Sequence, residues 1–234
     1  MGMSEEARMD YRHELKYVVT DAQLTALENR IRNLMAWDSH VGEGGMYRIR
    51  SLYFDDCYNR CFVENEIGTD PREKFRIRIY NADPSRITLE LKQKEHGMTR
   101  KLSCSLTRAQ CEELMLGHPL SVDSGYPPVL QKLNILMRTR QMRPKIIVEY
   151  DRFPYVDKLG NTRVTIDRHI MSSSDISCFL QEGIPRRPVM TAGNHILEVK
   201  YDEFLPDYIY QNLQIPSLRQ TAFSKYYLCR KFHL

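Results

Sequence analysis

Charged side chains occupy every second position in several segments whose intervening residues are mostly apolar. In one of them, Lys74-Phe-Arg-Ile-Arg78, three cations alternate with Phe75 and Ile77; the other segments are Glu14-Leu-Lys16, Glu90-Leu-Lys-Gln-Lys94 and Glu198-Val-Lys200. Successive side chains of a β-strand point to opposite faces, so the charges of each segment share one face and the apolar residues share the other. The pattern predicts a sheet with one covered face and one densely charged face.

The same periodicities predict about eight strands with helices between and after them. The predicted strands are 12–19, 47–55, 73–80, 86–94, 99–105, 145–151, 162–170 and 195–201. Two capping boxes, Thr20-Asp-Ala-Gln23 and Thr107-Arg-Ala-Gln110, each predict a helix start. Leu24, Leu27, Ile31 and Leu34 fall on one face of the first helix. Further helices are predicted at about 56–65, from Pro127-Pro128 to about Arg140, and from about Phe223 onward.

Short links between neighbouring strands make most pairings antiparallel. Turn-forming residues stand at Asn81-Ala-Asp-Pro84, Glu95-His-Gly97 and Lys158-Leu-Gly-Asn161. The predicted fold class is α+β. Eight antiparallel strands can close into a barrel around a small ligand, although spacing alone does not establish closure. We expect a tail at 1–10 followed by a single domain at 11–234.

Composition narrows the class of protein further. The chain has 234 residues, 42% of them hydrophobic, and a formal net charge of +4. No apolar run approaches the roughly 18 residues of a membrane span, and the polar, acidic N-terminus does not resemble a signal peptide. Six scattered cysteines without a Cys-x-x-Cys motif are typical of reduced thiols in a cytosolic protein, so we expect a cytoplasmic location.

The charged segments have two interpretations. One is a solvated sheet face with cross-strand ion pairs, such as Glu90 with Arg78. The other is a wet space that holds a polyanion, because like charges about 7 Å apart on one strand need a counter-charge or water. Arginine and lysine are the usual phosphate ligands. Several such strands in one chain favour the polyanion site.

Glutamates in the same strands raise the question of a metal ion. Glu14, Glu90, Glu149 and Glu198 can each serve as an ion-pair partner or as a metal ligand. Carboxylates beside bound phosphate would repel it, and Mg²⁺ or Mn²⁺ bridges the two kinds of oxygen. The sequence contains no Walker-type loop, no dinucleotide-binding fingerprint and no motif for binding nucleic acid.

Seven short motifs, in order, resemble the catalytic domain of the vacuolar transporter chaperone polyphosphate polymerases, within the triphosphate tunnel metalloenzyme superfamily. They are Arg12-His-Glu-Leu-Lys-Tyr17, Ser51-Leu-Tyr-Phe-Asp55, Lys74-Phe-Arg-Ile-Arg78, Leu89-Glu-Leu-Lys92, Glu149-Tyr-Asp-Arg152, Glu198-Val-Lys200 and Phe223-Ser-Lys-Tyr226. The resemblance extends from about Tyr11 to the C-terminus. Each motif is weak by itself, and the matching order of all seven makes the set specific.

The resemblance implies a closed, eight-stranded antiparallel tunnel in which the γ-phosphate of ATP is transferred to a growing polyphosphate chain, with Mn²⁺ or Mg²⁺. It implies catalytic roles for Lys16, Arg76, Arg78, Lys200 and Lys225. Phosphate-binding roles fall to Lys74, Lys92, Lys101, Arg152, Arg163, Arg219 and Ser224, of which Lys101 and Arg219 match less clearly. The metal ligands would be Glu198, Glu14 and Glu149. The last helix, with Ser224 and Lys225, would close one end of the tunnel.

One departure bears on the reaction. The hydrolase branch of the superfamily begins with Glu-x-Glu-x-Lys, whereas this chain has Arg12 at the first position and matches only at Glu14 and Lys16. The departure favours the polymerase branch and weakens the metal role of Glu14. Two alternatives stay open: a tunnel-fold hydrolase of tripolyphosphate or of nucleoside or organic triphosphates, and a non-catalytic module that binds polyanions. The sequence does not indicate the oligomeric state.

Overall fold

The computed structural model describes residues 11–42, 44–215 and 218–233; the predicted tail at 1–10 lies outside them. The strands are β1 His13–Thr20, β2 Ala36–Trp37, β3 Tyr47–Asp55, β4 Arg72–Tyr80, β5 Asp83–Glu95, β6 Met98–Leu106, β7 Arg143–Asp157, β8 Thr162–Ser173, β9 Arg187–Pro188 and β10 Asn194–Tyr201. The helices are α1 Asp21–Ile31, α2 Arg60–Glu66, α3 Arg108–Met115, α4 Pro128–Thr139, α5 Asp207–Leu213 and α6 Lys225–Lys231.

The eight predicted strands are confirmed, and the fold is α+β with antiparallel pairing. The described chain forms two compact units, one of residues 11–47, 150–170 and 190–223, the other of residues 48–149, 171–189 and 224–233. Strand order is β1-β10-β8-β7 in the first unit and β7-β3-β4-β5-β6 in the second, so that β7 contributes to both.

The first unit has its own apolar core beneath one face of its strands. Leu197 and Val199 of β10 lie beside Val164 and Ile166 of β8, and all four are fully buried. Helices α1 and α5 cover this face with Leu24, Leu27, Ile31, Ile209 and Leu213. Because side chains alternate along a strand, Glu198 and Lys200 point to the opposite face. This charged face of the first unit is continued by Glu14 and Lys16 of β1 and by Arg163 of β8.

The second unit also has an apolar core under one face of its strands and charged side chains on the other face. Phe75, Ile77, Leu89 and Leu91 from β4 and β5 are at most 1% exposed and belong to a core that α3 and α4 cover. The residues that alternate with them, together with their cross-strand partners on β3 and β6, form the charged face of the second unit: Lys74, Arg76, Arg78, Glu90 and Lys92, with Ser51, Tyr53 and Lys101.

Two tight turns fix the register of the β4–β5–β6 meander. Asn81 and Ala82 have φ values of 53° and 56°, and His96 and Gly97 have φ values of 50° and 77°. Two successive residues with positive φ make the two-residue hairpin turn that matches the twist of the strands. The first turn is shorter than predicted, because β5 already begins at Asp83, which pairs with Tyr80.

Helix starts were predicted well where a side chain caps the helix. Both capping boxes are present, with the hydroxyls of Thr20 and Thr107 accepting from the backbone of Gln23 and Gln110. The first helix ends at Ile31, however, so Leu34 lies beyond it and is 36% exposed.

The helix predicted at about 56–65 begins later, at Arg60. Asp55 accepts from the backbone N–H groups of Cys61 and Phe62, while Asp56 accepts from those of Tyr58 and Arg60. These side-chain contacts hold the preceding residues in a turn instead of a helix.

Candidate phosphate-binding site

In the second unit, the arginines of β4 surround one buried glutamate. Arg76 lies opposite Glu90 of β5, and its Nε and Nη2 are each 2.6 Å from Glu90 Oε2. Arg78 Nη1 lies 3.6 Å from the same oxygen, and Lys101 Nζ of β6 lies 3.3 Å from Oε1. Three cations therefore converge on one carboxylate, so this cluster has a formal charge of +2.

Two hydroxyl groups of β3 complete this cluster. Arg76 Nη1 donates to the Tyr53 hydroxyl at 3.0 Å, and Arg78 Nε donates to Ser51 Oγ at 3.1 Å. The Arg76 guanidinium also lies 5.8 Å from the centre of the Tyr53 ring. Bonds on several sides hold both guanidiniums in place, which is the preorganisation that binding of a phosphate oxygen requires.

The ionisation of Glu90 follows from these neighbours. Burial by itself would raise the pKa of this carboxyl group, but the charges of Arg76, Arg78 and Lys101 outweigh burial and hold the pKa well below its ordinary value. Glu90 is therefore an anion at neutral pH. Its position among the arginines matches the ion-pair interpretation of this carboxylate.

The depressed pKa predicts how stability depends on pH. A carboxyl group whose pKa is lower in the folded state stabilises the fold above its unfolded pKa of about 4.5, and this contribution disappears as the pH falls toward the folded pKa. We therefore expect the difference in free energy of unfolding between wild type and Glu90→Gln to be largest near pH 7 and to shrink toward pH 2. Urea unfolding at a series of pH values measures it; a constant difference would contradict the assignment.

Lys74 is held at the edge of the same charged face. Its Nζ donates to Asn65 Oδ1 at 2.7 Å and to Ser224 Oγ at 3.0 Å, and it lies 5.7 Å from the centre of the Tyr226 ring. Ser224 is also the N-cap of α6. The predicted phosphate ligands Lys74 and Ser224 thus contact each other. Lys92 lies opposite both Lys74 and Lys101 in the strand register.

In the first unit, two glutamates and two lysines form an alternating cluster across β1 and β10. Lys16 Nζ lies 3.1 Å from Glu14 Oε2 and 3.6 Å from Glu198 Oε2. Lys200 Nζ lies 2.8 Å from Glu198 Oε1 and 3.5 Å from Glu14 Oε1. Each lysine therefore contacts both carboxylates. The carboxylate side chains are only 7% and 5% exposed, whereas the lysines are 17% and 27% exposed and more open to an incoming anion.

Arg152, on β7, adds a guanidinium to this cluster. Its Nη2 lies 3.7 Å from Glu198 Oε1, and its Nε and Nη2 donate to the two oxygens of Asp167 at 2.7 and 2.8 Å. Burial alone would lower the pKa of Arg152, but the Asp167 carboxylate outweighs burial and raises that pKa well above its ordinary value. Arg152 is a permanent, rigidly held cation beside Glu198.

Arg163 lies opposite Lys200 in the register of β8 and β10. Its guanidinium forms an ion pair with the buried Asp38. Burial, followed by the neighbouring charge of Arg12, lowers the pKa of Arg163. The structure therefore brings Arg163 to the charged face of the first unit, and its role as a phosphate ligand stays a prediction.

The structure places Glu149, which was predicted as a metal ligand, away from the charged faces. It alternates with the core residue Ile147 and contacts Arg50, whose neighbour Leu52 is also a core residue, so it lies on the covered face of the second unit. Arg50 Nε is 2.7 Å from Oε2, and Arg48 and Arg186 both approach Oε1. Both oxygens of this carboxylate are thus engaged by guanidinium groups. The surroundings of Glu149 are those of an arginine ion-pair network.

The remaining predicted residues lie near the C-terminus. Arg219 is exposed, and Lys225 is the partly buried first residue of α6. Helix α6 is anchored by Tyr226, whose hydroxyl donates to Asp55 at 2.5 Å, and by Tyr227, whose ring stacks on Phe62. The described contacts do not assign Arg219 to either charged face.

Sequence reasoning missed several residues that orient the predicted ligands. Asp167 and Asp38 hold Arg152 and Arg163, while Ser51 and Tyr53 hold the two arginines of β4. The alternation of Tyr53 and Ser51 along β3 was a signal for a shared face. No sequence pattern indicated Asp38, because its partner Arg163 is distant in the sequence.

Among residues 11–42, 44–215 and 218–233, no three or more histidine, cysteine or acidic side chains form a cluster able to hold a metal ion. Glu14 and Glu198 nevertheless approach the same two ammonium groups. One or two carboxylates together with substrate phosphates are the ordinary ligands of Mg²⁺. The donor set therefore fits a cation that is completed by phosphate oxygens and water.

Comparison with solved structures gives the fold. A Hippeastrum protein described as having a dominant triphosphatase activity is 13% identical, with a TM-score of 0.51 and coverage of 95% of this chain and 96% of that chain. A Bacillus halodurans protein provisionally named an adenylate cyclase is 15% identical, with a TM-score of 0.48 and coverage of 81% of each chain. At 13% identity, the similarity to the Hippeastrum protein shows the fold alone.

No curated protein matches this chain. No helix in the described parts of the chain has both the length and the apolar character needed to cross a membrane. The VTC domain family model matches residues 11–233, which is nearly the whole chain. The chain belongs to the VTC domain family.

Proposed function

We propose that this protein is a metal-dependent polyphosphate polymerase that transfers the γ-phosphate of ATP to a growing polyphosphate chain. The family match over residues 11–233 is the observation that carries the proposal. The charged face of each unit supports it, because both present arginine or lysine side chains that are held in place by buried carboxylates. The closed eight-stranded tunnel, the single domain at 11–234 and the cytoplasmic location remain parts of this proposal.

The chemistry requires little covalent participation from the protein. Phosphoryl transfer depends mainly on positioning and on stabilisation of charge on the phosphate oxygens. Arg76 and Arg78 would bind phosphate oxygens on the second unit, and Lys16, Lys200 and Arg152 would do so on the first. The terminal phosphate of the acceptor chain would attack the γ-phosphorus of ATP, and the bond to the β-phosphate oxygen would break to release ADP.

Glu198 and Glu14 would hold Mn²⁺ or Mg²⁺. When bound, the cation would neutralise charge on the substrate phosphates. Lys16 and Lys200, which contact both carboxylates, would then turn from these carboxylates to phosphate oxygens. The lysines therefore keep the carboxylates neutralised while no substrate is bound.

A tunnel-fold hydrolase of triphosphates is the second candidate function. The similarity to the Hippeastrum protein, described as a triphosphatase, favours it. The two functions would use the same ligands and differ in whether water or a phosphate chain attacks. A non-catalytic polyanion binder is the third, and it would have no need of Glu198.

Product analysis tests the proposal against these alternatives. Purified protein is incubated with ATP and Mn²⁺, the products are resolved on a gel stained for polyphosphate, and free phosphate is assayed in parallel. A ladder of long chains is the result expected for the polymerase. Free phosphate without chains would instead identify the hydrolase, and unchanged ATP would identify the binder.

Glu198→Gln is expected to remove metal-dependent turnover while some polyphosphate binding remains. The amide keeps the shape of the carboxylate but loses the charge that binds the cation. A Mn²⁺ titration of turnover checks the loss of metal dependence, and a separate measurement of polyphosphate affinity checks that binding remains. Wild-type activity of the variant across the titration would rule out a metal role for Glu198.

Lys225→Ala tests whether α6 acts at the substrate. Ser224 contacts Lys74, so the first turn of α6 borders the charged face of the second unit. We expect turnover to fall at least tenfold, or about 1.4 kcal/mol, at an unchanged melting temperature because Tyr226 and Tyr227 still anchor the helix. Normal turnover would show that α6 only caps the fold.

A further inference from the structure

The side chain of Tyr226, in the first turn of α6, is buried at the charged face of the second unit. It is only 1% exposed, and it contacts residues of β3 and β4. Two of these residues, Tyr53 and Asp55, stand two positions apart on β3, so their side chains point to the same face of the strand. The Tyr226 side chain therefore spans both of them.

Asp55 fixes the hydroxyl end of Tyr226. Its carboxylate is fully buried and accepts a hydrogen bond from the Tyr226 hydroxyl at 2.5 Å. The same carboxylate accepts from the backbone N–H groups of Cys61 and Phe62 at 2.8 and 3.0 Å, which ties it to the start of α2. Burial, followed by the charge of Asp55, raises the pKa of Tyr226 well above its ordinary value, so the hydroxyl stays protonated and remains a donor.

The ring of Tyr226 packs against the ring of Tyr53. The two ring centres lie 5.3 Å apart with their planes inclined at 33°, a separation typical of favourable aromatic pairs. The Tyr53 hydroxyl in turn accepts from Arg76 Nη1 at 3.0 Å, while Glu90 contacts Nε and Nη2 of the same guanidinium. Any displacement of the Tyr53 ring would therefore move the group that holds the Nη1 side of Arg76.

The Tyr226 ring also contacts a second cation of this charged face. Lys74 Nζ lies 5.7 Å from the ring centre, within the roughly 6 Å of a cation–π contact. Lys74 and Arg76 stand two positions apart on β4 and are both predicted phosphate ligands. One side chain of α6 thus reaches Lys74 directly and Arg76 through Tyr53.

We propose that Tyr226 is a positioning residue for phosphate binding: Asp55 fixes its hydroxyl, and its ring holds Lys74 and the Tyr53 ring, which in turn holds Arg76. This inference rests on the proposed function and adds a residue that acts through the phosphate ligands. The two ends of the side chain have different consequences. The ring sets the position of two cations, whereas the hydroxyl satisfies a buried carboxylate.

Two substitutions of Tyr226 separate these consequences. Tyr226→Phe keeps the ring and leaves the buried Asp55 carboxylate without one donor, so we expect a lower melting temperature with kcat/KM for ATP close to the wild-type value. Tyr226→Leu also removes the ring, and kcat/KM should fall about fivefold to 50-fold, the combined range for one aromatic pair and one cation–π contact. ADP formation is measured at a temperature at which each variant is folded.

Tyr227→Leu is the matched control on the same helix. Tyr227 follows Tyr226 in α6, and its ring stacks on Phe62 of α2 with centres 4.8 Å apart. Its substitution loosens α6 while the contacts of Tyr226 stay, so it should lower the melting temperature and leave kcat/KM unchanged. Equal falls in kcat/KM for Tyr227→Leu and Tyr226→Leu would mean that α6 acts only as a whole, and would overturn the inference.

A double-mutant cycle with Tyr53→Phe tests the route to Arg76. Tyr53→Phe removes the hydroxyl that accepts from Arg76 and keeps the ring. Because Tyr226 acts partly through this hydroxyl, the fall in kcat/KM for Tyr53→Phe/Tyr226→Leu should be smaller than the product of the two single falls. A fall equal to that product, or wild-type kcat/KM in Tyr226→Leu, would overturn the inference.

The affinity for inorganic tripolyphosphate, measured by calorimetry in the same variants, separates this inference from the proposed function. We expect the variants to rank in affinity as they rank in kcat/KM, since Arg76 and Lys74 would bind phosphate oxygens before any reaction. Absence of ADP formation by the wild type would contradict the proposed function alone, and wild-type affinity in Tyr226→Leu would overturn the inference alone. Failure of the wild type to bind tripolyphosphate would overturn both.

Discussion

Arg76→Ala should lower kcat/KM for ATP about 30-fold to 1,000-fold, because the loss of one desolvated charged partner costs about 2–4 kcal/mol. Arg76 is held on the charged face of the second unit by bonds to Glu90 and to the Tyr53 hydroxyl. Arg78→Ala should have a similar effect. Steady-state kinetics and a melting curve for each variant make the measurement.

The control for this prediction is Arg108→Ala. Arg108 is 63% exposed and pairs with Glu112 on α3, away from the charged face. The Arg108→Ala substitution removes one positive charge from the chain, as Arg76→Ala does, and should leave kcat/KM unchanged. Wild-type kinetics in Arg76→Ala, at a normal melting temperature, would show that this arginine is only the ion-pair partner of Glu90.

Arg152→Leu should have the largest effect on stability. Asp167 is fully buried and both of its oxygens accept from Arg152, so removal of the guanidinium leaves a buried carboxylate without its main counter-charge. Breaking one side of a buried ion pair costs about 3–5 kcal/mol, a large part of the stability of an ordinary domain. Urea unfolding compared with wild type measures this cost.

Two further variants test the cause of that loss. The double variant Arg152→Leu/Asp167→Leu should recover much of the stability, because the buried Asp167 carboxylate is removed together with its counter-charge. Arg168→Leu removes a more exposed arginine, which pairs with Glu28, and should cost only about 0–1 kcal/mol. A small loss in Arg152→Leu, or no recovery in the double variant, would contradict the proposed role of this pair.

Much of the fold could be predicted because local chemistry determines it. Thr20 and Thr107 mark helix starts through contacts with residues three positions away, and the alternation in β4 and β5 is visible in the sequence itself. Helix α5 was missed. It has only seven residues and no side-chain cap, so its position depends on packing of Ile209 and Leu213 into the first core.

The candidate site was predictable in its cations but not in their partners. Alternation placed Arg76 and Arg78 on one face without indicating that Glu90 would lie between their guanidiniums. Glu149 was misread because Ile147 and Val148 are both apolar, so the sequence does not show which face of β7 is covered. Arg50 and Arg186, which contact Glu149, are distant in the sequence and become its neighbours only in the fold.

The central claim is the transfer of phosphate from ATP to a phosphate chain, and the stoichiometry of that transfer tests it most directly. ATP labelled at the γ-phosphate is incubated with the protein and Mn²⁺, and ADP, free phosphate and chain-bound label are quantified together over time. The polymerase account predicts one chain-bound label for each ADP released and little free phosphate, with both products formed about 30-fold to 1,000-fold more slowly in Arg76→Ala. Release of one free phosphate for each ADP, with no label in chains, would contradict it.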